Sequence, residues 1–156
     1  MAVTILDVVK FQTEDLVKID SQIEVLSGLT KRYLATDNLH ELEDIKKQFN
    51  ANLQYFVELY AKIKKFKGPN HTYLENALKK IKADAMDNMV GVNITAAERK
   101  VYSEPYYVER YAVAEQFIEF CIKVELKYDQ FSATLTSIVQ SISVLSKEYS
   151  NQRMSN

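Results

Sequence analysis

The sequence predicts an all-α fold: an elongated helical bundle with a helical hairpin and a long C-terminal coiled-coil-like helix, expected to be oligomeric. Three observations carry this. Only three Gly and two Pro interrupt 156 residues, so little stops a helix once it has started. Apolar residues recur at helical spacing through most of the chain. In the last third, Ala114, Phe117, Cys121, Val124, Tyr128, Phe131, Leu135, Ile138, Ile142, Leu145 and Tyr149 lie alternately three and four apart. An average spacing of about 3.5 marks a long helix wrapped against other helices.

Residues 1–12 read as an N-terminal arm, because Val3 to Phe11 are apolar and β-branched without a clean period. Helix one is expected over 13–33, with Thr13 as N-cap, Glu14 and Asp15 in its first turn, and Leu16, Ile19, Ile23, Leu26 and Leu29 on one face. Helix two, capped by Thr36 or Asp37, carries Leu42, Ile45, Phe49, Leu53, Phe56, Tyr60 and Ile63 over 38–66, and Gly68-Pro69 ends it. Thr72 and Glu75 form a capping box for a third helix to Met86. The stretch from Asn88 to Asn93, with Gly91, is the weakest for helix and reads as a connection. Thr95 and Glu98 suggest a second capping box and a short helix to Tyr102. Ser103 as cap and Pro105 in the first turn then open the final helix, expected over 104–149, with a polar tail at 150–156. No repeat or low-complexity linker divides the chain, so 1–156 is expected to be a single helical domain: arm, N-terminal helices 13–86 with a basic hairpin, and C-terminal helices 94–149.

The final helix would be almost 70 Å long against about 42 Å for helix two, at about 1.5 Å per residue. One end of the seam would then stay bare in a monomer. Beside its C-terminal half stand Thr134, Val139, Ser141 and Ser146, small uncharged flanks where a two-stranded coil usually places Glu and Lys. Self-association through Phe117, Val124, Phe131, Leu135, Ile138, Ile142 and Leu145 is the expectation. The alternative is a monomeric bundle whose Ser and Thr face water.

A formal net charge of −1 and a pI near 6.1 imply no general attraction to nucleic acid or to an anionic membrane. The N-terminus lacks the basic and long apolar regions of a secretion signal, and no stretch reaches the roughly 18 consecutive apolar residues of a membrane helix. Cys121 is the single cysteine, so no intrachain disulfide framework exists and a reducing cytoplasm is the expected compartment. It lies on the seam and reads as a small core side chain rather than a reactive thiol.

Catalytic residues, metal ligands and cofactors are not expected. His40 and His71 have no second His or Cys at ligand spacing, and no phosphate loop, nucleophile elbow or Cys-x-x-Cys pair occurs. Acid pairs such as Glu41/Glu43 and Asp84/Asp87 fall on faces that a helix in water makes polar anyway. The outstanding cluster is Lys62, Lys64, Lys65, Lys67, Lys79, Lys80 and Lys82, with Glu75 the only acid between residues 62 and 82. Seven lysines against one glutamate make this segment +6, so the remainder of a chain of net charge −1 carries −7. A Gly-Pro turn would fold the two lysine groups toward one tip of a hairpin. There they would bind phosphates by counterion release, with Tyr73 and neighbouring aromatics as stacking faces for unpaired bases. The alternative is a solvated lysine face. The tyrosines Tyr102, Tyr106, Tyr107 and Tyr111 read as core or subunit contacts ahead of a base-stacking platform, since Glu104 and Glu109 interleave with them.

This arrangement resembles the UvsY-type recombination mediators of tailed phages. The resemblance runs from Val101-Tyr102-Ser103 through Phe120-Cys121 to about Ile142, and the lysine-rich segment from Tyr60 to Lys82 stands where that family carries its DNA-binding residues. It implies an oligomer in the host cytoplasm that binds single-stranded DNA, remodels a single-strand-binding protein and loads a recombinase, without catalysis. On this reading Lys62, Lys64, Lys65 and Lys67 hold the backbone and the seam holds the assembly. The other reading is a helical scaffold, adaptor or inhibitor whose basic turn meets an acidic protein and no nucleic acid.

Overall fold

Among the described residues helix follows helix: α1 (Ile5–Ala35), α2 (Leu39–Lys67), α3 (Thr72–Asp87), α4 (Ile94–Lys100), a 3₁₀ turn (Val101–Ser103) and α5 (Pro105–Met154). The computed structural model describes residues 5–67, 72–89, 91 and 93–155, and for residues 5–17, 66, 67, 72–74 and 99 the backbone alone. No strand occurs among the described residues. The all-α class and the long C-terminal helix are as the sequence predicts, with α5 reaching 50 residues.

Several boundaries depart from the sequence reading. The arm is helical from Ile5, so position 13 lies inside α1 and not at its N-terminus. Residues 5–12 hold neither Gly nor Pro, and a helix propagates through such a stretch once nucleated. At the next corner the cap is Asn38, whose Oδ1 accepts from the Glu41 amide at 3.1 Å. Thr36 supports that cap instead: its Oγ1 accepts from the Asn38 amide at 3.2 Å and donates to Glu41 Oε2 at 2.8 Å. Arg32 stands 3.7 Å from Glu41 and 3.6 Å from Asp44 across the corner, exposed pairs that orient more than they stabilise.

Asn93, not Thr95, caps α4, accepting from the Ala96 amide at 2.9 Å. The connection before it contains Gly91 at φ 77°, a left-handed turn that a Cβ would strain. Ser103 does not cap α5, because its hydroxyl donates back to the Lys100 carbonyl at 2.9 Å. Glu104 is extended (φ −71°, ψ 122°), as the residue before a proline prefers, and Pro105 takes the first helical position, where no amide is missed. The tail expected from residue 150 is helical to Met154, with Ser150 donating to the Ser146 carbonyl and Arg153 beside the helix C-terminus, where the dipole favours a cation. The Thr72 side chain and the turn at 68–71, including His71, lie outside the described residues.

By packing, the chain divides into two units, Met1–Leu16 with Ala61–Lys123 and Val17–Tyr60 with Val124–Asn156. The second is a layer of three helix segments. Ile19, Leu26 and Leu29 of α1, Leu42, Ile45, Phe49, Leu53, Phe56 and Leu59 of α2, and Val124, Phe131 and Ile138 of α5 form its buried side chains. Phe131 joins α5 to α2: its ring stands edge-on to Phe49 at 6.0 Å and to Phe56 at 5.7 Å. Tyr60 and Tyr128 stack in parallel at 4.8 Å, and the Tyr33 and Ser141 hydroxyls pair at 3.2 Å. In the first unit, Ile81, Ala85, Val101 and Tyr107 form one core cluster, with Met86 and Met89 packed on it. Ala114, Phe117, Phe120 and Cys121 are buried on the α5 segment of that unit.

Packing within the chain already removes Phe117, Val124, Phe131 and Ile138 of the seam from water. Leu135, Ile142 and Leu145 are half-buried, while Val139, Val144 and Tyr149 are exposed. Burial along the seam therefore fades beyond Ile138.

Two measurements check this core. Phe131→Ala should lower the unfolding free energy by about 3–5 kcal/mol in urea titration, the range for deleting a buried phenyl ring; a change below about 1 kcal/mol would contradict the central place of that ring. Cys121, at 1% exposure, should react with a thiol reagent only as fast as the protein opens, and burst labelling of native protein would show it accessible.

Candidate nucleic-acid interface

The lysines of the basic segment sit on the ends of two helices in the first unit. Lys62, Lys64 and Lys65 are exposed on the last turns of α2, where Ile63 is fully buried between them. The Lys67 and Tyr73 side chains lie outside the described residues, so the bringing together of both lysine groups across the turn is not part of the described geometry. On α3, Ile81 and Ala85 face the core, which leaves Lys79 and Lys80 exposed and Lys82 at the border.

Lys82 makes a connection that sequence spacing could not give. Its Nζ donates to the Tyr102 hydroxyl at 3.2 Å and lies 5.1 Å from the centre of that ring. An ammonium this close to the oxygen and this far from the centroid sits at the ring's hydroxyl end, so the hydrogen bond outweighs the cation–π attraction. That bond, then the charge of Tyr102 and of Glu98, raises the pKa of Lys82 above its usual value against a small opposing effect of burial.

Tyr107 organises the tyrosine group. It is 8% exposed, meets the Tyr102 ring edge-on at 5.7 Å and stacks on Tyr111 at 5.6 Å with 28° between the planes. Burial, reinforced by Tyr102 and Tyr111, raises its phenol pKa. The expectation of a core role thus holds for Tyr107. Tyr102 is 60% exposed, and Tyr106 and Tyr111 are 36% and 39% exposed. One turn along α5, the Arg110 guanidinium lies 3.5 Å over the Tyr106 ring and its Nη1 donates to the Tyr106 carbonyl at 3.2 Å. Glu98, Glu109 and Glu115 are exposed around this group and Glu104 is half-buried.

Sequence reasoning reads Tyr102, Tyr106 and Tyr111 first as core or subunit contacts, yet all three are exposed, and it does not single out Arg110. The i, i+4 pairing of Tyr106 with Arg110 and of Tyr107 with Tyr111 is visible as a pattern, but not which member of each pair faces water. Elsewhere, His40 is almost fully exposed, 3.8 Å from Glu43. Among the described residues no three His, Cys, Asp or Glu side chains cluster as metal ligands, and no helix is long and apolar enough to cross a membrane.

No known family model, no characterised protein and no solved structure matches this chain.

Lys82 and Tyr107 both hold their protons more tightly folded than unfolded. With a raised folded pKa, the stability each contributes is complete below its unfolded value, about 10 to 10.5, and is lost as pH climbs through the folded value. The thermal midpoint should therefore be insensitive to these two groups at neutral pH. Above about pH 10, circular dichroism melts should show a shallower alkaline fall for a Lys82→Met, Tyr107→Phe variant than for the parent chain; parallel curves would remove this coupling.

Proposed function

We propose that this chain is a non-catalytic helical protein that binds single-stranded DNA through the lysines of α2 and α3, acting as several copies joined through the C-terminal part of α5. In this role it resembles a mediator that prepares single strands for a recombinase. The observation that carries the reading is the concentration of positive charge: Lys62, Lys64, Lys65, Lys79 and Lys80 are all exposed in one unit of a chain that is otherwise net acidic. Charge concentrated this way attracts a polyanion locally while the rest of the surface resists nonspecific adhesion.

Self-association is supported by the composition of α5. Between Asp129 and Lys147 no residue is charged, although Val139 and Val144 are exposed there. Contacts about a two-fold axis bring identical patches together, so charges in such a patch would repel their own copies; an uncharged one avoids this. Beside it, Tyr33, Leu42, Val144 and Leu145 line a shallow groove of about 530 Å³. Joining copies multiplies the lysine segments on one strand, and avidity then strengthens weak individual contacts.

The second reading, an adaptor that acts through protein contacts with no nucleic acid, is favoured by Glu98, Glu109 and Glu115, exposed among the tyrosines, since a surface of mixed acids and rings suits a protein partner better than a continuous phosphate chain. Titration with an oligothymidine separates the two. Binding should weaken steeply with salt, and changing Lys62, Lys64, Lys65, Lys79 and Lys80 to Ala should reduce the salt slope by about 0.7 for each phosphate that is no longer neutralised. No complex even at low salt would end the DNA reading. Light scattering tests the assembly: the parent should exceed the 18.0 kDa of one chain, and Val144→Asp with Leu145→Asp should return it to that mass while helicity persists. A parent of 18.0 kDa would exclude self-association.

A further inference from the structure

The geometry points to a base-stacking platform, formed by Tyr102, Tyr106 and Tyr111 with Arg110, that takes unpaired nucleobases while the lysines of α3 hold the adjoining phosphates. This rests on the reading of the lysine segment as a single-strand binder and adds to it the group that recognises an unpaired base.

Four observations carry it. The three tyrosines are 36–60% exposed, although burial is the ordinary fate of aromatic rings at helical spacing. They are held in place: the buried Tyr107 ring braces Tyr102 edge to face and covers one face of Tyr111, and the Arg110 guanidinium covers one face of Tyr106 at 3.5 Å, which leaves the opposite ring faces for a base. Rings fixed before binding lose little freedom on contact. Lys82 ties Tyr102 to α3, so the tyrosines of the 3₁₀ turn and of the first turns of α5 lie in the same unit as the helix that carries Lys79 and Lys80, joined to it at one point. Lastly, tyrosine faces and a guanidinium plane both stack on any base, without sequence preference.

The acids set the direction in which a strand lies. Glu98, Glu109 and Glu115 are exposed beside the tyrosines and repel phosphates, whereas on α3 Lys79 and Lys80 attract them between the exposed acids Glu75 on one side and Asp84 and Asp87 on the other. A strand is thereby turned with its backbone along α3 and its bases toward the rings. A duplex hides its base faces and offers phosphates on every side, so it gains nothing from the rings and meets the acids.

Two oligomers of equal length test this on the intact protein, one of thymidine and one with an abasic backbone. The thymidine oligomer should bind at least about tenfold more tightly, since stacking on an aromatic is worth roughly 1–3 kcal/mol per base. A variant carrying Tyr102→Ala, Tyr106→Ala and Tyr111→Ala should lose that advantage while keeping its abasic affinity and salt slope. The corresponding triple change to Phe should retain it. Equal binding of both oligomers by the parent chain would overturn the platform and leave the lysine reading intact, whatever the folding of the variants. Failure to bind either at low salt would overturn both. Polyglutamate should displace the thymidine oligomer no better than the abasic one does; displacement as strong as by thymidine would overturn the platform in favour of an acidic protein.

Discussion

One helix has to supply apolar surface to both packing units, and the rest of the protein is arranged around that demand. Over its 50 residues, α5 presents Ala114, Phe117 and Cys121 to the first unit and Val124, Phe131 and Ile138 to the second. Within each unit's segment of the helix, the alternating three and four spacing keeps these apolar residues on one face. Proline or glycine would break the line; after Pro105 the helix contains neither. Near the end of the seam the demand falls, because Ile142 and Leu145 are half-buried and Tyr149 is exposed.

The same requirement explains where binding surface can lie. Along α5 as far as Ile138, every third or fourth residue from Ala114 is buried or half-buried, and what remains can be charged, aromatic or neutral without loss of the fold. Three regimes follow one another on that free surface. The first turns carry Tyr106, Arg110 and Tyr111, the middle carries Glu119, Lys123 and Lys127, and the part between Asp129 and Lys147 carries no charge. Ordinary solubility would be served by the middle pattern throughout. The departures at both ends are where the proposed functions lie, bases at one and copies of the chain at the other.

Much of the fold was legible because helices declare themselves by period. The faces of α2 and α5, the length of α5 and the turn at Gly91 all follow from spacing and from the few helix breakers. Caps were less legible. Thr36, Asp37 and Asn38 are all competent N-caps by type, and only the backbone shows that Asn38 holds the position. The same holds for Asn93 against Thr95. The site was half legible: the lysines announce themselves by charge, but exposure of the tyrosines depends on which residue of each adjacent pair turns inward, and a rotation of about 100° between neighbours decides that. Lys82 and Tyr102 are 20 residues apart, a contact that exists only because α3 and the 3₁₀ turn share the core around Ile81 and Val101.

Tyr107 links stability to the proposed recognition. It belongs to the small core of Ile81, Ala85 and Val101 and is also the brace of Tyr102 and Tyr111. A leucine there could fill volume but would offer neither an edge nor a face to its neighbours, and the two exposed rings would regain the rotamer freedom that binding then has to remove. Phenylalanine would keep both contacts and escape the cost of ionising a buried phenol at high pH. The hydroxyl of Tyr107 is therefore dispensable to the bracing, whereas its ring is not. The Tyr102 hydroxyl differs, since it receives the hydrogen bond from Lys82. A ring that only had to stack could as well have been Phe; the oxygen adds a seat for Lys82, which stacking on a base does not itself require.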